Sequence, residues 1–368
     1  MNYDIKKIID AFNIEGTFVS FNPEGKGHIN DTFRCTFFNN NKEEHYILQR
    51  VNSYVFKEPE KLMENYFRVT SHIKKKIEAL HKDVKRNCIS LFPTKDGNNF
   101  FIDEQGNYWR VINFIEDNIA YEFTDNPKVA FECSKAVGAF QSWLVDLPGG
   151  PLYETIPYFN NPRYLFNQFV QILEKDSCNR AKNAKAIISS IEKNGQEMQR
   201  LVVMGEEGRL PVRITHNDTK INNILLDKDS LEAICIIDLD TVMPGFALND
   251  FGDAIRTITN TGKEDDENLD NVGVNLKMFE AYTKGYLSTA KSFLTQEELD
   301  NLAFAAKLYP YIIGLRFISD YLDGDHYFKI SHPEHNLQRA KAQFKLMSEM
   351  ERNYDKLQRI VTDIYTNL

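Results

Sequence analysis

The chain has 368 residues and a formal net charge of −9, from 53 acidic and 44 basic side chains. With 42% hydrophobic and 26% charged residues, its composition is that of a globular protein rather than a disordered or fibrous one. The acidic balance argues against a general nucleic-acid binder, which needs a basic surface, and disfavours an anionic membrane surface as the main partner. The length is enough for about two domains or lobes.

The cysteines and the N-terminus bear on where the protein works. The five cysteines are scattered and contain no C-x-x-C pair, so they indicate neither a disulfide framework nor a zinc site. The apolar stretches are too short, or too often interrupted by charge, for a membrane span, and the first ten residues lack the apolar core of a signal peptide. We therefore expect a soluble cytoplasmic protein.

The first third of the chain predicts a small lobe of strands with one long helix. The β-prone runs are separated by segments rich in glycine and asparagine, and a helix of about twenty residues lies between the third and the fourth run. The apolar residues of this helix, from Leu62 to Leu80, keep three- and four-residue spacing. The predicted strands are residues 17–21, 32–38, 46–51, 100–102 and 108–114.

After residue 116 the apolar pattern becomes helical. Two short β-prone segments, residues 212–216 and 233–238, interrupt the helices. The predicted division is an N-terminal lobe of residues 1–116 and a C-terminal lobe of residues 117–368, joined near residues 114–118. The predicted helices of the second lobe are residues 129–144, 164–173, 184–204, 295–321 and 337–364.

Both β-prone interruptions end in acidic residues, and this is the most informative feature of the sequence. The first leads into H-x-D-x-x-x-x-N, formed by His216, Asp218 and Asn223, and the second ends at Asp238. A loop of this spacing, followed by an apolar strand that ends in Asp, is typical of the catalytic loop and metal-binding strand of kinases. The alternative is that these side chains only cap a turn and end a strand.

Phosphoryl transfer explains why these residue types are needed. A carboxylate must meet the proton of the acceptor hydroxyl, and Asp218 is the candidate base. Mg²⁺ prefers oxygen ligands, which Asn223 and Asp238 offer. We interpret His216 as a residue that holds the loop rather than as a proton carrier. Downstream, Asp250 and Asp253 are expected to anchor the loop and cap a helix.

The first lobe is then expected to cover ATP. Gly25 and Gly27 lie between two predicted strands, where kinases place a flexible loop over the phosphates. The adenine is expected against residues 108–116, with Phe114 and Glu116 at the nucleotide site. The strand at residues 46–50 lacks the lysine that kinases use to bind phosphate, so Gln49 or Arg50 must substitute. This departure leaves open a catalytically inactive, ligand-binding protein.

Longer strings of sequence resemble the aminoglycoside phosphotransferase and choline kinase superfamily, and within it the N-acetylhexosamine 1-kinases. The resemblance runs over nearly the whole chain and is more specific than the general kinase pattern. The strings are residues 27–30 (GHIN), 46–49 (YILQ), 215–220 (THNDTK), 236–245 (IIDLDTVMPG), 250–253 (DFGD), 316–317 (RF), 320–322 (DYL) and 333–337 (PEHNL).

The resemblance implies an α+β, two-lobed protein-kinase-like fold, with a small β-rich N-terminal lobe and a larger, mainly helical C-terminal lobe. It also implies ATP-dependent phosphorylation, with Mg²⁺, of the anomeric hydroxyl of N-acetylglucosamine or N-acetylgalactosamine. A choline- or aminoglycoside-type kinase is the alternative enzyme.

Carried over residue by residue, the resemblance places the sugar against His28 and Asn30 from the first lobe and Arg316 and Tyr327 from the second. A salt bridge to Asp320, four residues along the helix, is the alternative role for Arg316. The segment at residues 154–163 departs from the family pattern, so it contributes no predicted site residue.

Overall fold

The computed structural model describes residues 3–24 and 29–368. Gly25, Gly27 and His28, which were predicted to contact phosphate or sugar, lie outside the described residues. The described chain forms a strand-rich N-terminal lobe and a larger helical C-terminal lobe, so the predicted α+β, two-lobed fold class is confirmed.

The N-terminal lobe is built on one antiparallel sheet. Its elements are α1 (Ile5–Ile9), β1 (Thr17–Pro23), β2 (Asp31–Asn39), β3 (Lys42–Val51), α2 (Pro59–Ala79), α3 (Val84–Asn87), β4 (Leu91–Phe92), β5 (Phe101–Ile102) and β6 (Tyr108–Asn113). The strand order is β1–β2–β3–β6–β4, with β5 paired to the beginning of β6. In this register Gln49 on β3 lies directly opposite Arg110 on β6.

Helix α2 joins the core of the first lobe to that of the second. Its apolar face, from Leu62 to Ile77, is buried as the spacing predicts. The part of this face from Tyr66 to Ile77 shares one buried cluster with Ile112 of β6, and the cluster continues into the second lobe through Phe140 and Leu239. Burial of this shared apolar surface, at about 25 cal/mol per Å², holds the two lobes together at the back of the site.

The C-terminal lobe contains helices packed around short β-ladders. Its elements are β7 (Asn118–Ile119), α4 (Pro127–Leu144), α5 (Pro162–Lys175), α6 (Lys185–Asn194), α7 (Arg200–Glu206), β8 (Arg213–Thr215), β9 (Ile224–Asp227), β10 (Ala233–Ile236), β11 (Met243–Gly245), α8 (Ala247–Ile258), α9 (Leu276–Ala290), α10 (Gln296–Asp300), α11 (Leu302–Asp323), α12 (His335–Arg352) and α13 (Tyr354–Asn367).

Three of the predicted long helices are each divided in the structure. The predicted helix 295–321 breaks between α10 and α11 at Asn301, and 337–364 breaks between α12 and α13 at Asn353; 184–204 becomes α6 and α7. The side-chain amides of Asn301 and Asn353 donate to the carbonyl oxygens of Glu297 and Glu349, at 2.8 and 2.9 Å. Such local bonds compete with the helical ladder, whereas the apolar spacing continues across both breaks.

Helix α11 is the central helix of the C-terminal lobe. In the part of the chain that the structure describes, it alone has the length and mean hydropathy (1.2) of a membrane span. Of that window, 83% is buried inside the protein, as is typical of the core helix of a globular fold. The sequence-based expectation that every apolar stretch is too short, or too often interrupted by charge, for a span therefore does not hold for α11 by length and composition.

Two short ladders bring together the segments that the sequence singled out. Strand β8 pairs with β11, so that Thr215 lies opposite Met243, and β9 pairs with β10, so that Ile224 lies opposite Ile236. The loop at residues 216–223 connects β8 to β9, and residues 237–242 connect β10 to β11. Both connections therefore emerge at the same place, facing the N-terminal lobe.

Candidate active site

Asp250 of α8 anchors the loop that carries Asp218. The backbone N–H groups of His216 and Asn217 donate to the two carboxylate oxygens of Asp250, at 2.9 and 2.7 Å, and Gln141 donates to the same carboxylate at 2.7 Å. Burial raises the pKa of Asp250, and the hydrogen bonds from the loop oppose that rise. The expected anchoring role of Asp250 agrees with these contacts.

Asp253 does not share this role. Its Oδ1 lies 3.2 Å from Nη2 of Arg256, one turn along α8, and its Oδ2 is buried without a hydrogen-bond partner among the described residues. Burial raises the pKa of Asp253, and Arg256 opposes the rise. Asp250, and not Asp253, therefore anchors the catalytic loop.

His216 ties the loop to the end of β10. Its buried ring accepts a hydrogen bond from the Asp218 N–H at Nδ1 (3.3 Å) and donates from Nε2 to the carbonyl oxygen of Ile237 (2.9 Å). Because both ring nitrogens are engaged by the backbone, the geometry favours the positioning role expected for His216 over proton transfer.

Asp218, Lys220 and Asn223 form one cluster on this loop. The Asn223 amide donates to the main-chain oxygen of Asp218 (2.8 Å) and to its Oδ2 (3.1 Å), while Lys220 Nζ lies 3.1 Å from Oδ1. The Asp218 side chain is 26% exposed, so a ligand can reach it. Partial burial works against the charge of Lys220, but Asp218 and Asp253 outweigh it and raise the lysine pKa.

Asp238 follows β10 in a strained conformation. Its φ of 61° lies in the left-handed region, as does the φ of 64° at Asn217 in the catalytic loop. Such conformations cost free energy in residues other than glycine and cluster at functional sites. Asp238 is exposed at the site, but the protein atoms around it and the nearby carboxylates of Asp240 and Asp218 raise the pKa of Asp238 to about 6.

The donors of Asn223 and Asp238 fit a magnesium ion. The Asn223 amide nitrogen is committed to Asp218, which leaves its oxygen free, and within residues 3–24 and 29–368 no hydrogen bond or ion pair engages the Asp238 carboxylate. Mg²⁺ is usually held by one or two carboxylates, with waters and substrate phosphates completing its shell. Among the described residues, no group of three or more His, Cys, Asp or Glu side chains is arranged to hold a metal ion by itself.

On the N-terminal lobe, Gln49 and Arg50 point to opposite faces of β3. Gln49 accepts from Nε and Nη2 of Arg110, at 3.0 and 2.8 Å, and thus faces the C-terminal lobe. Arg50 instead pairs with Asp31 at 2.7 Å and lies over the ring of Tyr3. Arg50 is therefore not placed to replace the missing lysine, and the cation beside Gln49 is Arg110.

Arg110 crosses the junction between the lobes to reach Asp240. The two side chains form a buried ion pair of 2.5 Å, and they are 1% and 4% exposed. Asn30 Nδ2 donates to the other Asp240 oxygen at 2.5 Å, and Asn30 Oδ1 accepts from the backbone N–H of Asn52 at 3.0 Å. Asn30, predicted to contact sugar, thus lies at the site but is engaged by Asp240.

Arg316 and Tyr327 contact each other in the C-terminal lobe. Arg316 Nη2 lies 3.4 Å from the Tyr327 hydroxyl, and its guanidinium lies 4.7 Å from the ring centre of Phe159. Asp320 accepts instead from the backbone N–H groups of Tyr327 and Phe328, at 2.7 and 3.0 Å. The alternative salt bridge between Arg316 and Asp320 is therefore wrong.

Phe114 and Glu116, which were predicted at the nucleotide site, lie in the segment that connects β6 to β7. The Glu116 carboxylate lies 2.6 Å from Nδ1 of His45, and the Phe114 N–H donates to the His45 carbonyl oxygen at 3.3 Å. The backbone N–H and C=O of Glu116 have no hydrogen-bond partner in the described chain. They are available to a ligand that enters between the lobes.

Two residues of this region were missed by the sequence prediction. Lys220 stands two positions after Asp218, and this short spacing was a usable signal. Arg110 gave no comparable signal, because its partner Asp240 is 130 residues away in the chain.

The fold and this arrangement of loop, strand end and hinge define a phosphotransferase of the protein-kinase-like class. The chain belongs to the phosphotransferase enzyme family APH, whose family model matches residues 22–276.

Three solved structures illustrate the similarity. The aminoglycoside phosphotransferase of Alicyclobacillus acidocaldarius is 12% identical, with a TM-score of 0.62, and the match covers 97% of this chain and 96% of that one. The choline kinase of Cryptosporidium parvum is 14% identical, with a TM-score of 0.55 and coverage of 94% and 93%. The ADP-bound aminoglycoside phosphotransferase APH(2'')-Ib is 13% identical, with a TM-score of 0.51 and coverage of 90% and 95%.

Proposed function

We propose that the protein transfers the γ-phosphoryl group of ATP to the anomeric hydroxyl of an N-acetylhexosamine, N-acetylglucosamine or N-acetylgalactosamine, and forms the hexosamine 1-phosphate. The observation that carries the phosphotransfer is the contact of Asp218 with Lys220 and Asn223, beside the end of β10. The choice of sugar rests on the sequence strings that resemble the N-acetylhexosamine 1-kinases and on the charge of the acceptor pocket.

In this mechanism Asp218 orients the acceptor hydroxyl and takes its proton late in a largely dissociative transfer. Asn223 and His216 hold the Asp218 carboxylate and backbone in place, so little reorganisation accompanies the reaction. Lys220 supplies positive charge next to the base, where the transferred group develops negative charge. Asn223 and Asp238 would hold Mg²⁺, which neutralises charge on the nucleotide phosphates when bound.

ATP would lie between an N-terminal lobe of residues 1–116 and a C-terminal lobe of residues 117–368. The unpaired peptide groups of Glu116 offer hydrogen bonds for an adenine edge, with Phe114 beside it. Gly25 and Gly27 belong to the segment assigned to the phosphates, and Gln49 acts through Arg110 rather than on the nucleotide directly. The ADP bound by the similar phosphotransferase APH(2'')-Ib supports nucleotide as the donor.

The acceptor pocket would include Arg316, Tyr327 and Phe159, with His28 and Asn30 closing it from the other lobe. Within the described residues, no carboxylate forms an ion pair with Arg316, and its guanidinium lies against the rings of Phe159, Tyr327 and Phe328. Because these rings already contact the Arg316 cation, a quaternary ammonium or polycationic acceptor would meet a like charge there instead of an unoccupied aromatic surface. A neutral sugar that offers hydroxyl and carbonyl oxygens to the guanidinium suits this pocket better than choline or an aminoglycoside.

An acceptor panel tests the proposal. ADP release, measured with a coupled assay, is expected with N-acetylglucosamine or N-acetylgalactosamine and not with choline, ethanolamine or aminoglycosides. Release only with one of the cationic acceptors would overturn the sugar assignment and keep the enzyme class. If the protein binds ATP but releases no ADP with any acceptor in the panel, the catalytically inactive alternative is supported.

A further inference from the structure

One buried arginine brings together four elements at the junction of the lobes. The guanidinium of Arg110, on β6, is bound by Gln49 of β3, lies 4.2 Å from the ring centre of Tyr66 of α2, and pairs with Asp240 of the C-terminal lobe. Because Gln49 and Arg110 are direct cross-strand neighbours, the glutamine orients the guanidinium rather than contributing a charge. We call Gln49, Arg110, Asp240 and Asn30 the inter-lobe cluster.

Protein kinases use a different ion pair in their small lobe. There, a lysine on the third strand pairs with a glutamate on the helix of the small lobe, and this pair must be in place for activity. In this chain the third strand presents Gln49, and the helix presents the ring of Tyr66. In this chain the positive charge is on Arg110 of β6, the strand next to β3, and its carboxylate partner is Asp240 of the other lobe.

Asp240 is engaged on all sides by protein groups. Its Oδ1 receives Arg110, its Oδ2 receives the amide of Asn30, and its main-chain oxygen accepts from the hydroxyl of Thr155 at 3.3 Å. Both carboxylate oxygens are therefore occupied, so Asp240 is not itself placed to hold a cation. These contacts can instead fix the backbone of the turn at Leu239–Thr241, which contains Asp240.

That backbone leads directly to Asp238. Residues Leu239–Thr241 form a single 3-10 turn, and Asp238 precedes it in the left-handed conformation. A strained residue keeps its conformation only where its surroundings hold it, and the nearest side chain held from the opposite lobe is that of Asp240. The same carboxylate also holds Asn30, so one residue connects the turn after Asp238 with the beginning of β2.

We propose that Arg110 and Asp240 are positioning residues, whose ion pair draws the N-terminal lobe onto the turn after Asp238 and so sets the Asp238 carboxylate and Asn30 in the arrangement that binds a magnesium nucleotide. This inference rests on the proposed function, since it assigns a role in the same site. It gives Gln49 the task of orienting Arg110, and it explains how the chain dispenses with a lysine on β3.

The test uses nucleotide binding rather than turnover. The variant Arg110→Met/Asp240→Leu removes the pair without leaving an unpaired buried charge, and Arg86→Met serves as the control, because Arg86 forms another inter-lobe ion pair, with Asp227 at 2.7 Å. ADP affinity is measured by calorimetry over a series of Mg²⁺ concentrations. Loss of residues that orient metal ligands typically weakens metal binding by about 10–100-fold, so the double variant should need at least about tenfold more Mg²⁺, and Arg86→Met should not.

Hydrogen exchange provides the second readout. The amides of residues 239–241 and 30–31 should exchange faster in the double variant than in the wild type. The variant Gln49→Lys/Arg110→Met moves the cation to β3 and keeps Asp240. Its ADP affinity should therefore lie between that of the wild type and that of Arg110→Met/Asp240→Leu. A folded double variant with wild-type magnesium dependence and wild-type exchange would overturn the inference. If the wild type binds no ADP at any Mg²⁺ concentration, the proposed function fails instead, and the exchange comparison still decides whether the pair positions the turn.

Discussion

Asn223 binds Asp218 at two points, at the main-chain oxygen (2.8 Å) and at carboxylate Oδ2 (3.1 Å). A single side chain thereby fixes both the backbone and the rotamer of the candidate base, and its own oxygen remains free for a cation. The arrangement makes the two residues act as a unit, so their substitutions should not be additive.

Replacement of Asp218 tests the base. Asp218→Asn keeps the shape of the side chain and removes its ability to accept a proton, so kcat should fall by about 10²–10⁴-fold, the usual contribution of a general base. Sugar binding should change little. Steady-state kinetics and equilibrium sugar binding measure the two effects, and Asp229→Asn, on an exposed turn, is the control. Near-normal turnover in Asp218→Asn would remove Asp218 from the mechanism.

Replacement of Lys220 tests the charge beside the base. Lys220→Met should lower kcat by about 10²–10³-fold, because a preorganised charge aimed at the transition state contributes on that scale. The affinity for the sugar should change far less than kcat. The exposed Lys185 at the start of α6 provides the matched control, Lys185→Met. If Lys220→Met lowers the free energy of unfolding as well as kcat, while Lys185→Met lowers neither, Lys220 has a structural role instead.

The acceptor pocket predicts a different kinetic signature for Arg316. Arg316→Met should raise the KM for the sugar at least roughly tenfold, since hydrogen bonds from charged groups contribute about 1.5–3 kcal/mol. ADP affinity should stay at the wild-type value, because Arg316 contacts Phe159 and Tyr327 and none of the residues assigned to the nucleotide. A variant that loses ADP affinity and sugar affinity together would contradict this division of the site.

Asp238 makes the metal-free protein sensitive to pH. Its pKa is raised from 3.8 to about 6 on folding, so between these values the folded state binds more protons at this site than the unfolded state. The free energy of unfolding should therefore fall as the pH rises through this range, by more in the wild type than in Asp238→Asn. Urea denaturation in the presence of a chelator measures the difference. Parallel pH profiles for the two proteins would show that Asp238 is not perturbed.

The sequence predicted those parts of the site that follow from local spacing. The catalytic loop and the end of β10 lie together because β8, β9, β10 and β11 are short neighbouring strands, and the residue types at their ends reflect the chemistry directly. The alternating and helical patterns likewise placed five of the six described strands of the first lobe, all except β4, and the buried face of α2.

Other parts depended on contacts that no local pattern encodes. The ion pair of Arg110 and Asp240 joins residues far apart in the chain, and the direction of Gln49 became clear only from its register with β6. The breaks at Asn301 and Asn353 arise from side-chain hydrogen bonds, while the apolar spacing runs on across them. Tertiary structure thus decided which polar residue served as a partner, a break or a site.

The position of the phosphate in the product decides whether the enzyme phosphorylates the anomeric hydroxyl of the sugar. After incubation of the protein with ATP, Mg²⁺ and either N-acetylglucosamine or N-acetylgalactosamine, the product is identified by phosphorus NMR with coupling to the sugar protons. We expect a phosphate ester coupled to the anomeric proton with the wild type, and none with Asp218→Asn. A phosphate on another hydroxyl, or inorganic phosphate alone, would contradict it.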